Sequence, residues 1–318
     1  MVHYRCFRNA DPPELVRLWH QCELGRGAAT GFSCDALDLL VLSQPYFDPR
    51  GLILAWEEDR AVGFVHAGFA CNTDQTGLCY ETGVIQAVMV HPEHRRRGIG
   101  HELMLQAEAY LKSAGAKRIL AGPAPPGDAF YVGLYGGPTP CGFLQSDAAA
   151  EPFLMSIGYE PVQRTGVWQL DLSKHRDPVS YRLSLIRRGT RLVVQDAPEK
   201  ATWWWFTRLG RLDTLHFRLL PKTGETALAE VTVIGLELYV QKWQERAIGI
   251  ADVYVPESER KKGYAQALLV EVLRRIRDEY VTLVEAHAPE SNAPAMGLLQ
   301  SLGFTQVDMG VVYRKVSP

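Results

Sequence analysis

A strand, a basic turn carrying glycine, and a helix follow one another twice in this sequence, with the same spacing from arginine to glycine. The first copy runs from Val84 to Gly115 as VIQAVMV, HPEHRRRGIG and HELMLQAEAYLKSAG. Its apolar, β-branched run ahead of Pro92 reads as a buried strand. Ile99, Leu103, Ala107 and Leu111 then recur at helical spacing. The second copy, Ile250 to Val272, reads IADVYV, PESERKKGYA and QALLVEV, with Arg260, Gly263 and Ala265 standing where the first has Arg95, Gly98 and Gly100. Each copy leads to a further strand and a helix closing on similar words, PFLMSIGY at 152–159 and GLLQSLGF at 297–304. A repeated order of this kind points to an internal duplication.

A strand that feeds a glycine turn opening a helix gathers unpaired backbone N–H groups at the positive end of a helix dipole, which suits a phosphate. Gly98 and Gly100 carry no Cβ to hold an anion away, and Arg95, Arg96 and Arg97 add positive charge, as Arg260, Lys261 and Lys262 do in the second copy. The same basic runs invite a nucleic-acid reading. Each, however, sits where a helix begins, a single diphosphate accounts for both, and a net charge of −2 supplies no general attraction to a polyanion. His91, His94 and His101 do not form a metal motif, because Pro92 interrupts the helical i, i+4 geometry such motifs use; no metal is expected.

The pattern V-x-P-x-x-R-x-x-G-x-G/A, followed by helix, strand, helix and L-G-F/Y, resembles the acetyl-CoA core of the GNAT N-acetyltransferase superfamily. It is carried by Val90, Pro92, Arg95, Gly98 and Gly100, and again by Val255, Pro256, Arg260, Gly263 and Ala265. The second copy departs in placing proline directly after its valine and three residues, not two, before the arginine. The resemblance implies an α/β fold with a mixed, mostly antiparallel central sheet flanked by helices, present as two GNAT-like domains in tandem. It implies acetyl-CoA as co-substrate, held by Val88, Met89, Val90, Arg95, Arg96, Arg97, Gly98, Ile99, Gly100 and His101. In the second half the matching residues are Val253, Tyr254, Val255, Arg260, Lys261, Lys262, Gly263, Tyr264 and Ala265, with Asn292 at the family's asparagine and Asp147 in the equivalent place of the first half.

The activity implied is transfer of acetyl to a primary amine of a small molecule or peptide. The duplication is similar in organisation to mycothiol synthase, in which two such domains are fused and one is catalytic, so acetylation of a thiol-sugar amine is a further reading. Many family members place a tyrosine, as acid, one residue after the leucine of the closing word; this sequence has Leu154 and Leu299 there. That absence supports an alternative, a catalytically silent protein that binds or senses CoA. Substitutes exist: Tyr131 or Tyr135 as a phenol from a long loop, and Glu81 or Asp252, close in sequence to the cofactor strands, as base.

A chain of 318 residues, 47% hydrophobic and 22% charged, has room for two ordinary domains with real cores. We divide it as 1–172 and 180–318, joined by a charged, proline-containing linker at 173–179. No apolar run approaches a membrane span, the start lacks a signal-peptide core, and six cysteines without C-x-x-C spacing read as reduced thiols. The expectation is a cytoplasmic monomer or homodimer with neither membrane nor nucleic acid as partner.

Strands are expected at Val2–Arg8, Gly51–Trp56, Ala61–Ala70, Tyr181–Ile186 and Arg191–Val194, and helices after Asp11, over Cys34–Leu42 and over Glu199–Leu209. The last carries Trp203, Trp204 and Trp205, which point in different directions on a helix and so suit core or inter-half packing better than base stacking. Gly122–Ser146 is dense in glycine, proline and aromatics and has no period. A loop of that length is expected to form a substrate pocket or lid, or else to pack against the other half. The first half, with the fuller set of such elements, is expected to hold the working site.

Overall fold

One continuous sheet runs through both halves of the chain in the computed structural model, which describes residues 1–22 and 24–316. The first half supplies β1 (Val2–Cys6), β2 (Leu52–Glu57), β3 (Arg60–Cys71), β4 (Leu78–Val90), β5 (Arg118–Ala121), β6 (Phe143–Leu144) and β7 (Tyr159–Asp171). Its helices are α1 (Pro12–Gln21), α2 (Cys34–Leu37), α3 (Ile99–Ser113) and α4 (Ala150–Ser156). The second half supplies β8 (Thr190–Gln195), β9 (Thr214–Pro221), β10 (Ala229–Gly235), β11 (Ala247–Tyr254), β12 (Leu283–Pro289) and β13 (Thr305–Lys315). Its helices are α5 (Tyr181–Gly189), α6 (Trp203–Leu209), α7 (Val240–Trp243), α8 (Tyr264–Asp278) and α9 (Ala293–Ser301).

Both copies of the strand–turn–helix unit form. Gly98 (φ 82°) and Gly263 (φ 89°) take the left-handed conformation that ends each turn and opens α3 and α8, a region that strains residues with a Cβ. Leu103, Ala107 and Leu111 then bury one face of α3, and Leu268, Val272 and Ile276 one face of α8. Two expectations are corrected. Tyr181–Ile186 is helical, because Leu183 and Ile186, three residues apart, are the side chains that rest on the second core. The segment expected as one helix over Cys34–Leu42 is α2 followed by a wider π turn over Asp38–Leu42.

Strand order along the sheet is β1-β2-β3-β4-β5-β13-β7-β12-β11-β10-β9-β8, with β6 added to β13. The halves therefore exchange their last strands. β13 ends the second half, yet it inserts between β5 and β7, while β7 reaches β12 through a ladder from Leu283↔Asp171 to Pro289↔Thr165. The boundaries at 172 and 180 divide the sequence but not the sheet. The segment between them is tied down by Asp177, whose carboxylate pairs with Arg274 and Arg277 of α8.

Each half has its own apolar core, and Trp204 of α6 crosses into the first, 4.9 Å from the Tyr46 ring. That agrees with the packing role expected for the tryptophans. Gly122–Ser146 is not a lid. Phe130, Tyr131, Leu134 and Tyr135 are buried in the first core, while Gly133 abuts Leu238 and Pro138 abuts Gly249 of the second half. The loop is a wedge between halves, and its aromatic content is what fills that space.

One buried carboxylate closes the junction. Glu285 on β12 accepts from Arg26 (2.9 Å), from the Gly137 amide (2.6 Å) and from Gln169 (2.6 Å), and its Oε1 lies 3.1 Å from His287 Nε2. Burial pushes the carboxyl up, but His287 and Arg26 outweigh it and hold Glu285 down at about 2. Burial opposes charge on His287 as well, and the Cys141 sulfur and Glu285 raise it to about 10. The carboxylate contribution is complete above pH of about 4.3 and fades as pH falls toward the lowered value. The imidazolium contribution is complete below about 6.5 and fades as pH climbs toward the raised value. Glu285→Ala leaves the buried His287 and the half-buried Arg26 without their carboxylate and is expected to cost about 3–5 kcal/mol of unfolding free energy, measured by denaturant melts. Wild type is expected to be most stable between those two pH limits, and the variant to lose that pH dependence.

Candidate active site

The parallel pairing of β4 with β5 stops at Ile85↔Ala121. Beyond it β4 continues to Val90 with β3 alone, and the gap opened on its other side is a cavity of about 740 Å³. The walls are Val88, Met89 and Val90 of β4, Arg95, Arg96 and Gly98 of the bend, Ile99, Gly100 and His101 of α3, and Pro152, Phe153 and Leu154 of α4. Leu24, Phe143 and Asp147 close its remaining sides.

Backbone direction in this stretch follows from one bond. The His91 N–H donates to Val62 of β3, so with a period of two Val88 and Val90 turn their N–H and C=O groups away from β3 and into the gap. The Val90 carbonyl is taken by Arg95 Nε at 3.0 Å, and Arg95 also donates to the Cys22 carbonyl. Arg95 thus braces the strand end against the loop after α1. Arg96, in the left-handed region (φ 62°), stays exposed on the cavity wall. Arg97 turns outward to a two-point pair with Glu57 and is not among the lining residues, which corrects its assignment to the diphosphate. A Cβ on Gly98 would meet nothing within 4 Å, so the bend is open to a ligand; one on Gly100 would meet the Phe153 ring at 3.2 Å.

The second half repeats the frame with its bend covered. Pairing of β11 with β12 also ends early, at Ile250↔Ala286, and Arg260 Nε donates to Val255 as Arg95 does to Val90. Here α5 lies across the bend. Arg182 donates to the carbonyls of Lys261 and Lys262, and a Cβ on Gly263 would meet its guanidinium at 3.0 Å. Lys262 is paired with Glu259, and Val253 and Tyr254 are exposed. Tyr264 and Ala265 are the first residues of α8, and the Asn292 side chain caps α9 by accepting from the Ala295 amide.

None of the residues first read as acid or base lines the cavity. Glu81 is an exposed partner of Lys117 near the start of β4. Tyr131 is buried with its hydroxyl 3.1 Å from His66 Nδ1; burial drives its phenol up and lowers His66 to about 3. Asp252 sits on the exposed bulge of β11 (φ 49°) in the other half. Asp147 is the carboxylate that does line the cavity among the described residues, and Leu154, fully buried, stands where a tyrosine hydroxyl was sought. Cavity walls from Leu24 and Phe153 were not anticipated; Phe143 belongs to the Gly122–Ser146 loop, for which a pocket role was one of the expectations. No grouping of three or more His, Cys, Asp or Glu side chains suited to a metal occurs among the described residues, and none of their helices is long and apolar enough to cross a membrane.

The model of the acetyltransferase (GNAT) family matches residues 11–135 and again 185–304. The chain belongs to the GNAT acetyltransferase family. The two matches follow the duplication, so this is a tandem GNAT chain. No curated protein matches its sequence. Among solved structures it is similar to a tandem GNAT protein from the clavulanic acid biosynthesis pathway, at 17% identity and a TM-score of 0.71, over 99% of this chain and 98% of that one. A GCN5-related N-acetyltransferase from Sphaerobacter thermophilus aligns at 17% identity and a TM-score of 0.65, over 99% and 95%. The GCN5-related glucosamine N-acetyltransferase region of a fungal multi-domain GH3 β-N-acetylglucosaminidase aligns at 15% identity and a TM-score of 0.72, over 99% of this chain and 38% of that one. At these identities the likeness speaks for the GNAT fold.

Proposed function

We propose that this tandem GNAT protein is an acetyltransferase with one working site, in the first half, which moves acetyl from acetyl-CoA to a primary amine of a small molecule or peptide. The observation that carries the reading is the cavity between the free edge of β4, the open Gly98 bend and α4. Amides at the start of α3 and the Arg96 side chain would receive the diphosphate, and the free edge of β4 would pair with the pantetheine arm as an added strand does. The Val88 N–H, aimed into the gap, would polarise the thioester carbonyl. Asp147 would take the proton the amine sheds as the C–N bond forms and return it to the departing thiolate, so that one proton passes from amine to CoA. The second half, with Arg182 over its bend, serves as scaffold. The boundaries 1–172 and 180–318 then mark one catalytic and one supporting domain of a cytoplasmic monomer or homodimer, whose cysteines are free among the described residues.

Leu154 favours a second reading, a CoA-binding protein without turnover, because among the described residues no phenol lines the cavity to protonate the thiolate. Titration with CoA by calorimetry, together with thiol release from acetyl-CoA in the presence of polyamines, amino-sugars, aminoglycosides and peptide N-termini, separates them. One CoA per chain and turnover with one acceptor class is the expected result. Binding without turnover across that panel would leave the second reading standing, and no binding would remove both.

A further inference from the structure

The bend of β4 beside the cavity is held by the wedge loop. β4 carries an extra residue, Gln86, between its pairs His66↔Ala87 and Ala67↔Ile85, at the point where it leaves β5. A bulge of this kind redirects the backbone that follows, and unless something holds it the strand can settle in more than one way. Here it is held on three sides by residues 122–146 and their flank. The Tyr135 hydroxyl donates to the Gln86 carbonyl at 2.6 Å, the Gln86 side-chain amide donates to Gly127 at 3.1 Å, and the Gly122 amide donates to Ile85 at 3.0 Å.

Tyr135 is itself fixed. Its ring is buried and packs edge-on to Phe143, a cavity wall, at 5.5 Å, and its carbonyl receives the Cys141 thiol. Burial drives its phenol far upward, so the hydroxyl keeps its proton and remains a donor. The second half lacks this brace. Its stretch between strand and helix is short, its bulge at Asp252 is exposed, and Val253 and Tyr254 face solvent.

We propose that Tyr135 is a positioning residue for acetyl transfer: by holding the Gln86 carbonyl it fixes the β4 bulge and so points the Val88 N–H, two residues on, at the thioester carbonyl. The inference rests on the acetyl-CoA reading of the first half. It also accounts for a long, largely buried loop in one half and not in the other.

The test needs no acceptor. Carbonyl-labelled [1-13C]acetyl-CoA is bound to the full chain, and the thioester stretch is followed by difference infrared spectroscopy, since a hydrogen bond to the carbonyl lowers its frequency. Wild type is expected to shift the band downward. Tyr135→Phe is expected to lose about half of that shift or more, while CoA affinity stays within about threefold, because the diphosphate contacts are untouched. Where Tyr135→Phe does not fold, 3,5-difluorotyrosine at position 135 keeps the ring and changes the strength of the bond to Gln86, and the band is expected to move with it. An unchanged band in a folded variant overturns the role of Tyr135 and leaves the donor site intact. Failure of wild type to bind acetyl-CoA overturns the donor reading itself, and this inference with it.

Discussion

A fragment of residues 1–172 is expected not to fold alone, and residues 180–318 added in trans are expected to rescue it. The reason is the strand exchange. Without the second half β7 loses β13 along one edge and β12 along the other, and β5 loses the pairs Tyr313↔Ala121 and Arg314↔Leu120. The first core also loses Trp204, among the largest of its buried side chains, and the wedge loop loses Glu285, Leu238 and Gly249. Open edges of this length favour aggregation over a stable monomer. Circular dichroism melts and gel filtration of each fragment, alone and mixed, check it. A 1–172 fragment that melts cooperatively within about 5 °C of the intact chain would mean that β7 finds another partner inside its own half.

Much of the frame was legible in the sequence because it rests on local chemistry. β-branched runs gave the strands that carry Val88–Val90 and Val253–Tyr254, and the glycine turns gave the starts of α3 and α8. The exchange of β7 and β13 was not legible, since both are final strands with the same pattern and nothing local records which sheet each joins. Tyr181, Leu183 and Leu185 alternate as a strand would, and only the packing of Leu183 with Ile186 on the core decides for helix.

The same limit governs the site. Val88–Val90, Arg95, Arg96 and Gly98–His101 belong to one contiguous word and do line the cavity, whereas Leu24, Phe143 and Phe153 come from three separate places in the chain. Glu81 was chosen for closeness in sequence, but seven residues of extended chain at about 3.3 Å each carry it some 23 Å from Val88. Arg97 was chosen for its charge, and strand β2 had already placed Glu57 to receive it.

Gly98→Val is expected to weaken CoA binding about 100-fold or more, close to 2.7 kcal/mol, while Gly263→Val leaves it within about threefold. The two substitutions share a backbone cost, since both glycines hold a left-handed φ that a Cβ strains by about 1–2 kcal/mol. They differ in what they do to a ligand. At Gly98 the space beyond the backbone is empty for 4 Å, and that space is where a diphosphate must lie for the α3 amides to reach it. At Gly263 the same space already holds the Arg182 guanidinium, anchored on Lys261 and Lys262, so a side chain there displaces protein and not ligand. A thermal shift at least as large for Gly263→Val, which must also displace Arg182, as for Gly98→Val, with CoA affinity lost only in Gly98→Val, is the expected pair of results, measured by melts and calorimetry on the same preparations. If Gly263→Val proves the more damaging to CoA binding, the working bend is the second one and Arg182 must swing aside to admit the nucleotide.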